Sequence, residues 1–244
     1  MFVIANWKSN GTIHMVSKHV NILNAKFKSE ITSVNVVLCV SFPYISVTNV
    51  ENRNYFLGAQ DVSKYGYGSY TGEVSAEMLS DMGCKYVIIG HSERRLLFGE
   101  TYHDISMKAT LAVSHGITPI VCIGDIDESK KESQLREMCN HLPSDLVKNN
   151  ELVIAYEPVY AIGTGNVLNS AEIEHACNII RSTLANSKQR VLYGGSVSSK
   201  NIDSILETQG LNGVLVGGAS IEVDEFYGIC SAVNSLCHNL HQEG

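Results

Sequence analysis

The chain has 244 residues, of which 44% are apolar, enough for one large α/β domain or two small ones around a sizeable core. The formal charge is −7, from 25 acidic and 18 basic residues with no long run of either sign, which argues against a nucleic-acid partner. An anionic ligand would have to be held by backbone groups and a few placed cations.

Apolar runs rich in β-formers recur along the chain, and each is followed by distinctive residues. The first, 2–6, ends in Asn6-Trp7-Lys8. Runs 34–40 and 55–59 follow, the second leading into a loop, 64–73, rich in Gly and Tyr. Ser75 then reads as the cap of a helix beginning Ala76-Glu77-Met78-Leu79. Run 86–90 precedes His91-Ser92-Glu93-Arg94-Arg95, and run 117–124 comes next. Run 152–157 ends in Glu157, with Pro158 stiffening the exit and Gly163 and Gly165 loosening the far end, a base beneath a movable lid. Ser170 reads as the cap of a helix with early acids and apolar spacing through Ile180 and Leu184. Run 190–194 leads into Gly194-Gly195-Ser196, and run 213–217 into Gly217-Gly218-Ala219. A final helix, 223–240, sets Phe226, Ile229, Val233, Leu236 and Leu240 on one stripe.

Most runs are apolar without a break, as in parallel strands buried on both faces. Eight strand-then-helix units fit a single-domain (β/α)8 barrel over 1–244, a doubly wound open sheet being the alternative. The barrel brings all strand ends to one mouth, where one ammonium (Lys8), one imidazole (His91), one carboxylate (Glu157) and two glycine pairs meet. Two Gly-Gly turns on the last two strands suit a phosphate cup of backbone N–H groups, with an adjacent helix start adding partial positive charge. No dinucleotide or Walker fingerprint occurs, so the phosphate belongs to a small molecule.

The seven cysteines, Cys39, Cys84, Cys122, Cys139, Cys177, Cys230 and Cys237, are odd in number and lack a CxxC pair, which reads as reduced, mostly buried thiols in a reducing compartment. His238 and His241 read as a polar helix end rather than a metal pair. The apolar start is too short for a signal sequence, and no stretch approaches a membrane span.

Taken together, these segments resemble the triosephosphate isomerase family. The matching stretches are Asn6-Trp7-Lys8, Gly58-Ala59-Gln60-Asp61, Tyr70-Thr71-Gly72-Glu73, Gly90-His91-Ser92-Glu93-Arg94-Arg95, Tyr156-Glu157-Pro158-Val159, Ala161-Ile162-Gly163-Thr164-Gly165, Tyr193-Gly194-Gly195-Ser196-Val197 and Val216-Gly217-Gly218-Ala219-Ser220, from end to end of the chain. The resemblance implies interconversion of dihydroxyacetone phosphate and D-glyceraldehyde 3-phosphate, a glycolytic and gluconeogenic step. It implies Glu157 as the base and His91 as a neutral electrophile, this family being a standard worked case of tuned acid–base groups. Asn6 and Lys8 are implied as substrate-binding donors, and Gly163, Ser196, Gly217 and Gly218 as backbone phosphate ligands. It further implies no metal and no cofactor, a cytoplasmic location, and a homodimer whose Thr71 loop reaches the partner's site near Asn6 and His91.

The chain departs from the family at four positions. Tyr160 replaces a usual tryptophan and Asp125 a usual glutamate, and a Tyr160–Asp125 hydrogen bond is expected as a coupled swap. Asn166 replaces a lysine in the lid hinge, and Asn212 an aspartate that pairs with Arg181, where the bond is expected to be weak or lost. A phosphosugar aldolase or epimerase would need a Schiff-base lysine or a metal cluster at the strand ends, where Lys8 is the single lysine. A phosphate binder without activity is the other alternative.

Overall fold

The structure, a computed structural model, describes residues 1–161 and 167–242, and of residues 28–30, 161 and 239–242 the backbone only. The expectations for Gly163, Gly165 and Asn166, and for the side chains of Leu240 and His241, lie outside the described residues. Eight parallel strands close a barrel in sequence order: β1 (Phe2–Asn6), β2 (Asn35–Val40), β3 (Phe56–Ala59), β4 (Tyr86–Ile89), β5 (Thr118–Asp125), β6 (Val153–Pro158), β7 (Arg190–Tyr193) and β8 (Gly213–Val216). Each strand end falls within one residue of the expected run. The helices are α1 (Ile13–Glu30), α2 (Ile45–Thr48), α3 (Ala76–Asp81), α4 (Ser92–Phe98), α5 (Tyr102–Ser114), α6 (Lys131–Asn140), α7 (Ser144–Lys148), α8 (Ser170–Thr183), α9 (Ile202–Leu206) and α10 (Val223–Gln242). Closure is made by β1 on β8, with Ile4 opposite Leu215 and Ala5 opposite Val216.

The unbroken apolar runs follow from two cores that share one sheet. Ile4, Val37, Ile88, Ile120, Val153, Leu192 and Leu215 fill the barrel interior. Their strand neighbours Val3, Ala5, Val36, Leu38, Val121, Ile154, Val191 and Val214 face the helices. Alternate side chains of a strand point to opposite faces, so a strand buried on both must be apolar at every position. Each such Val, Leu or Ile is worth roughly 1.5–3 kcal/mol of burial.

Caps set the helix starts. Ser75 accepts from Met78 N at the head of α3, as expected. At α8 the expected cap moves back one residue. Asn169, not Ser170, is the cap, accepting from Glu172 N while Glu172 accepts from Asn169 N. Asn169 is extended (φ −71°, ψ 164°), so Ser170 is the first helical residue and the box spans cap to third position. On α10, Phe226, Ile229 and Val233 of the expected stripe are fully buried. All seven cysteines are buried thiols. Among the described residues no helix is long and apolar enough to cross a membrane, and no group of three His, Cys, Asp or Glu stands ready for a metal.

The closing seam depends on Gly213. Its φ is +139°, and a Cβ there would lie 2.0 Å from the Phe2 carbonyl oxygen. Gly213→Ala is expected to cost about 3 kcal/mol or more in chemical denaturation, from backbone strain added to overpacking.

Candidate active site

The residues at the strand ends converge as expected. A cavity of about 260 Å³ is lined by Asn6, Lys8, His91, Glu157, Ser196, Gly217 and Gly218, among others. Every described site residue named from the sequence borders it.

Glu157 lies near the end of β6 and is 1% exposed. Its Oε2 accepts from Ser92 N at 2.9 Å, and its Oε1 lies 3.0 Å from His91 Nε2. The backbone around it leaves no spare room: a Cβ on Gly124 would meet the Glu157 carbonyl oxygen at 2.0 Å. A Cβ on Gly194 would meet Glu157 Cγ at 3.2 Å. The glycine after β7 therefore clears space for the carboxylate as well as opening the turn.

His91 is the N-cap of α4, the short helix expected after it, and its Nδ1 accepts from Glu93 N at 3.2 Å. A ring nitrogen that accepts a backbone N–H carries no proton, so the hydrogen-bond network assigns the ring proton to Nε2, facing Glu157. An imidazole whose Nε2–H faces the cavity is a neutral donor, the form expected of the electrophile.

Lys8 has φ 53°, one of four non-glycine residues with positive φ among those described. Three contacts hold this strained backbone: Lys8 N donates to Asn6 Oδ1 at 3.1 Å, Ser41 Oγ donates to Lys8 O at 2.9 Å, and the Lys8 ammonium pairs with Glu93. Glu93, given no role by sequence reasoning, thus touches both Lys8 and the helix start that carries His91. No signal in the sequence marks this role, which depends on partners that only the fold brings together.

The two glycine turns expected to form a phosphate cup show one difference from expectation. The helix start after β8 is a single 3-10 turn, Gly218–Ser220, and after β7 α9 begins only at Ile202. Little helix dipole is available there, so an anion at these turns would depend on open N–H groups. Among the described residues, the N–H groups of Ser196, Gly217 and Gly218 donate to no backbone carbonyl. Ser220 ties the turn down instead, its N and Oγ both donating to Gly217 O, at 2.8 and 2.7 Å.

Around the mouth, Trp7 is fully buried edge-on to His19 at 4.6 Å between ring centroids. Burial pulls His19 down to about 4, so it stays neutral. At the root of the lid, Asp125 is 0% exposed, and burial raises its carboxyl above the usual range. The expected Tyr160–Asp125 hydrogen bond is not among those of the described residues. The hydroxyl acting on Asp125 belongs to Tyr156, one strand over. Tyr160 is raised to about 12, by burial first and then by the Asp125 charge. Neither the Tyr156 hydroxyl nor the Asp125 oxygens reach full bonding geometry.

A family model described as Triosephosphate isomerase matches residues 1–233. A relative from Wolbachia pipientis wMel, named Triosephosphate isomerase, is 40% identical over 95% of this chain and 93% of its own. Proteins of the same name from Nitrosomonas europaea (39% identical) and Magnetococcus marinus (35% identical) each align over 96% of this chain and 98% of their own.

Two double-mutant cycles test the lid root. Asp125→Ala with Tyr156→Phe is expected to show a stability coupling of about 0.5–3 kcal/mol. Asp125→Ala with Tyr160→Phe is expected to be closer to additive, and the reverse ranking would restore the coupled swap.

Proposed function

The chain belongs to the triosephosphate isomerase family and interconverts dihydroxyacetone phosphate and D-glyceraldehyde 3-phosphate, and we propose that it does so with Glu157 as the base and His91 as the electrophile. The observation that carries this assignment is the 3.0 Å approach of His91 Nε2 to Glu157 Oε1 on the wall of a cavity that also holds Lys8.

The phosphate sits against the N–H groups of Ser196, Gly217 and Gly218, joined by Gly163 from the lid. This leaves the carbonyl oxygen toward Asn6, Lys8 and His91. Glu157 leaves Ser92 and takes a proton from the carbon beside the carbonyl. The electron pair moves onto oxygen and forms an enediolate. His91 Nε2–H and the Lys8 ammonium stabilise that oxygen, and Asn6 adds a neutral donor. One preorganised donor of this kind is worth roughly 2.7–4 kcal/mol in the transition state. Glu157 then returns the proton to the neighbouring carbon while the hydroxyl proton on the first oxygen passes to the second, which completes the isomerisation without net change in atoms. Lid closure draws on phosphate binding and excludes water, limiting loss of phosphate from the intermediate. No residue of this scheme needs a metal or an organic cofactor.

We also propose that the enzyme is a cytoplasmic homodimer of single-domain chains spanning 1–244. Loop 64–73 is braced at its start and within: Lys64 pairs with Asp104 at 2.6 Å, Tyr65 and Tyr70 stack at 4.2 Å, and just ahead of it Asp61 pairs with Arg94 and Lys108. A braced loop with an exposed Thr71 suits insertion into a partner. Beside the site lies a cavity of about 290 Å³ bordered by Asn6, Lys8, Gln60, His91, Glu93 and Phe98, the place for that Thr71. The run Leu96, Leu97 and Phe98 is 53%, 74% and 70% exposed, an apolar patch that a second chain would cover.

Glu157→Gln is expected to lower kcat by about 10² to 10⁴ in a coupled isomerase assay, with inorganic phosphate still bound. A wild type that binds phosphate but does not turn over would favour a binding protein. In gel filtration the active species is expected to run as a dimer, and an active monomer would remove the role of Thr71.

A further inference from the structure

Arg95 stands one helical turn beyond His91 and is drawn inward rather than out to solvent. Its Nε donates to Gly90 O at 2.9 Å, and its Nη1 reaches Met138 Sδ at 3.5 Å. Its Nη2 is buried with no partner among the described residues. A cation kept inside with one donor unpaired is costly, so the bonds it does make call for an explanation.

Gly90 is the residue through which β4 turns into α4. Its φ is +71°, and a Cβ there would meet Ile105 Cδ1 at 2.7 Å. Past the end of β4, Gly90 O accepts no backbone N–H among the described residues. Arg95 supplies the missing donor. The next carbonyl, His91 O, is taken by Arg94 N at 2.8 Å and Arg95 N at 3.2 Å. The peptide groups on both sides of the His91 Cα are therefore fixed, one by the guanidinium and one by the helix. Arg95 also acts electrostatically on the Cys122 thiol, on which the Glu157 charge acts more strongly.

We propose that Arg95 is a positioning residue: by holding the Gly90 carbonyl, its guanidinium sets the entry angle of the chain into α4 and with it the direction of the His91 Nε2–H bond. The claim rests on the reading of His91 as electrophile. A planar fork bonds Gly90 O through Nε while Nη1 reaches Met138, a geometry that a lysine ammonium cannot copy. A charged donor makes that bond strong enough to hold the turn. Misplacing a donor by an ångström is enough to lose most of its effect on a transition state.

Steady-state kinetics of Arg95→Met, Arg95→Lys, His91→Gln and the double variant His91→Gln/Arg95→Met test this. Arg95→Met is expected to lower kcat about 10- to 100-fold with KM within about twofold of wild type. Arg95→Lys is expected to recover part of the loss, and if Arg95→Met does not fold, Arg95→Lys is read against the same criteria. In the His91→Gln background the Arg95→Met change is expected to cost less than about threefold, because the group it aims is gone. A kcat within about threefold of wild type, a change confined to KM, or an equal loss in both backgrounds would overturn the proposal. If His91→Gln itself keeps wild-type turnover, the electrophile reading fails first and the positioning role falls with it.

Discussion

Burial of Glu157 governs the rest of the site. A carboxylate 1% exposed keeps its charge only if donors replace the water it has lost. Two do so, and both come from one place: Ser92 N–H and His91 Nε2–H at the start of α4. The proposed base therefore rests on the proposed electrophile. When Glu157 moves to a substrate, the Nε2–H is released at the moment an oxyanion begins to form nearby. The same proton thus serves two acceptors in turn. That exchange works only if the start of α4 holds still, which makes Gly90, Glu93 and Arg95 part of the site although none of the three is needed at the reacting carbons.

The departures from the family pattern show how much of a site depends on geometry and how much on charge. Asn212 keeps its bond to Arg181: Oδ1 accepts from Arg181 Nη2 at 3.2 Å and from Val191 N at 2.9 Å. Arg181 also donates to Gly210 O and to Gln189 O. A guanidinium with several carbonyl acceptors is satisfied without a carboxylate, so the neutral amide preserves the network at lower electrostatic strength. Asp125 behaves differently. It is one methylene shorter than the glutamate expected there, and the hydroxyl that acts on it is that of Tyr156 rather than Tyr160.

The barrel was legible because its physics is repetitive. Strands buried on both faces must be apolar throughout, and eight such runs separated by helices leave few topologies. The site was legible where a residue type is rare in its setting, such as a single carboxylate closing an apolar run or two glycine pairs after the last strands. What stayed hidden depends on three-dimensional partners. Nothing in Glu93 says that it bridges Lys8 and His91, and nothing in Arg95 says that it turns inward. The second duty of Gly194, clearing space for Glu157, likewise appears only when β6 and β7 stand side by side. The misplaced cap at α8 is a local case: Asn and Ser both cap well, and the backbone angles of Asn169 decide between them.

Unpaired buried polar groups are frequent at the mouth of the barrel, while positive-φ backbone occurs at both ends, with Asn52, Asn150 and Ala185 ahead of β3, β6 and β7. Lys8 sits at φ 53° beyond β1. Trp7 Nε1, Arg95 Nη2, the Tyr156 hydroxyl and both Asp125 oxygens are buried without full partners, and all lie at or beyond the carboxyl ends of their strands. Each such group costs about 1–3 kcal/mol. Further such atoms among the described residues belong to His19, Glu77, Glu100, Gln189 and Thr208, the last two ahead of β7 and β8, while the two cores are packed apolar surface. A barrel can carry these groups because its two cores run the whole length of the sheet. Stability supplied along the strands offsets the cost at the mouth, and the mouth is left free to hold groups in positions that folding alone would not choose.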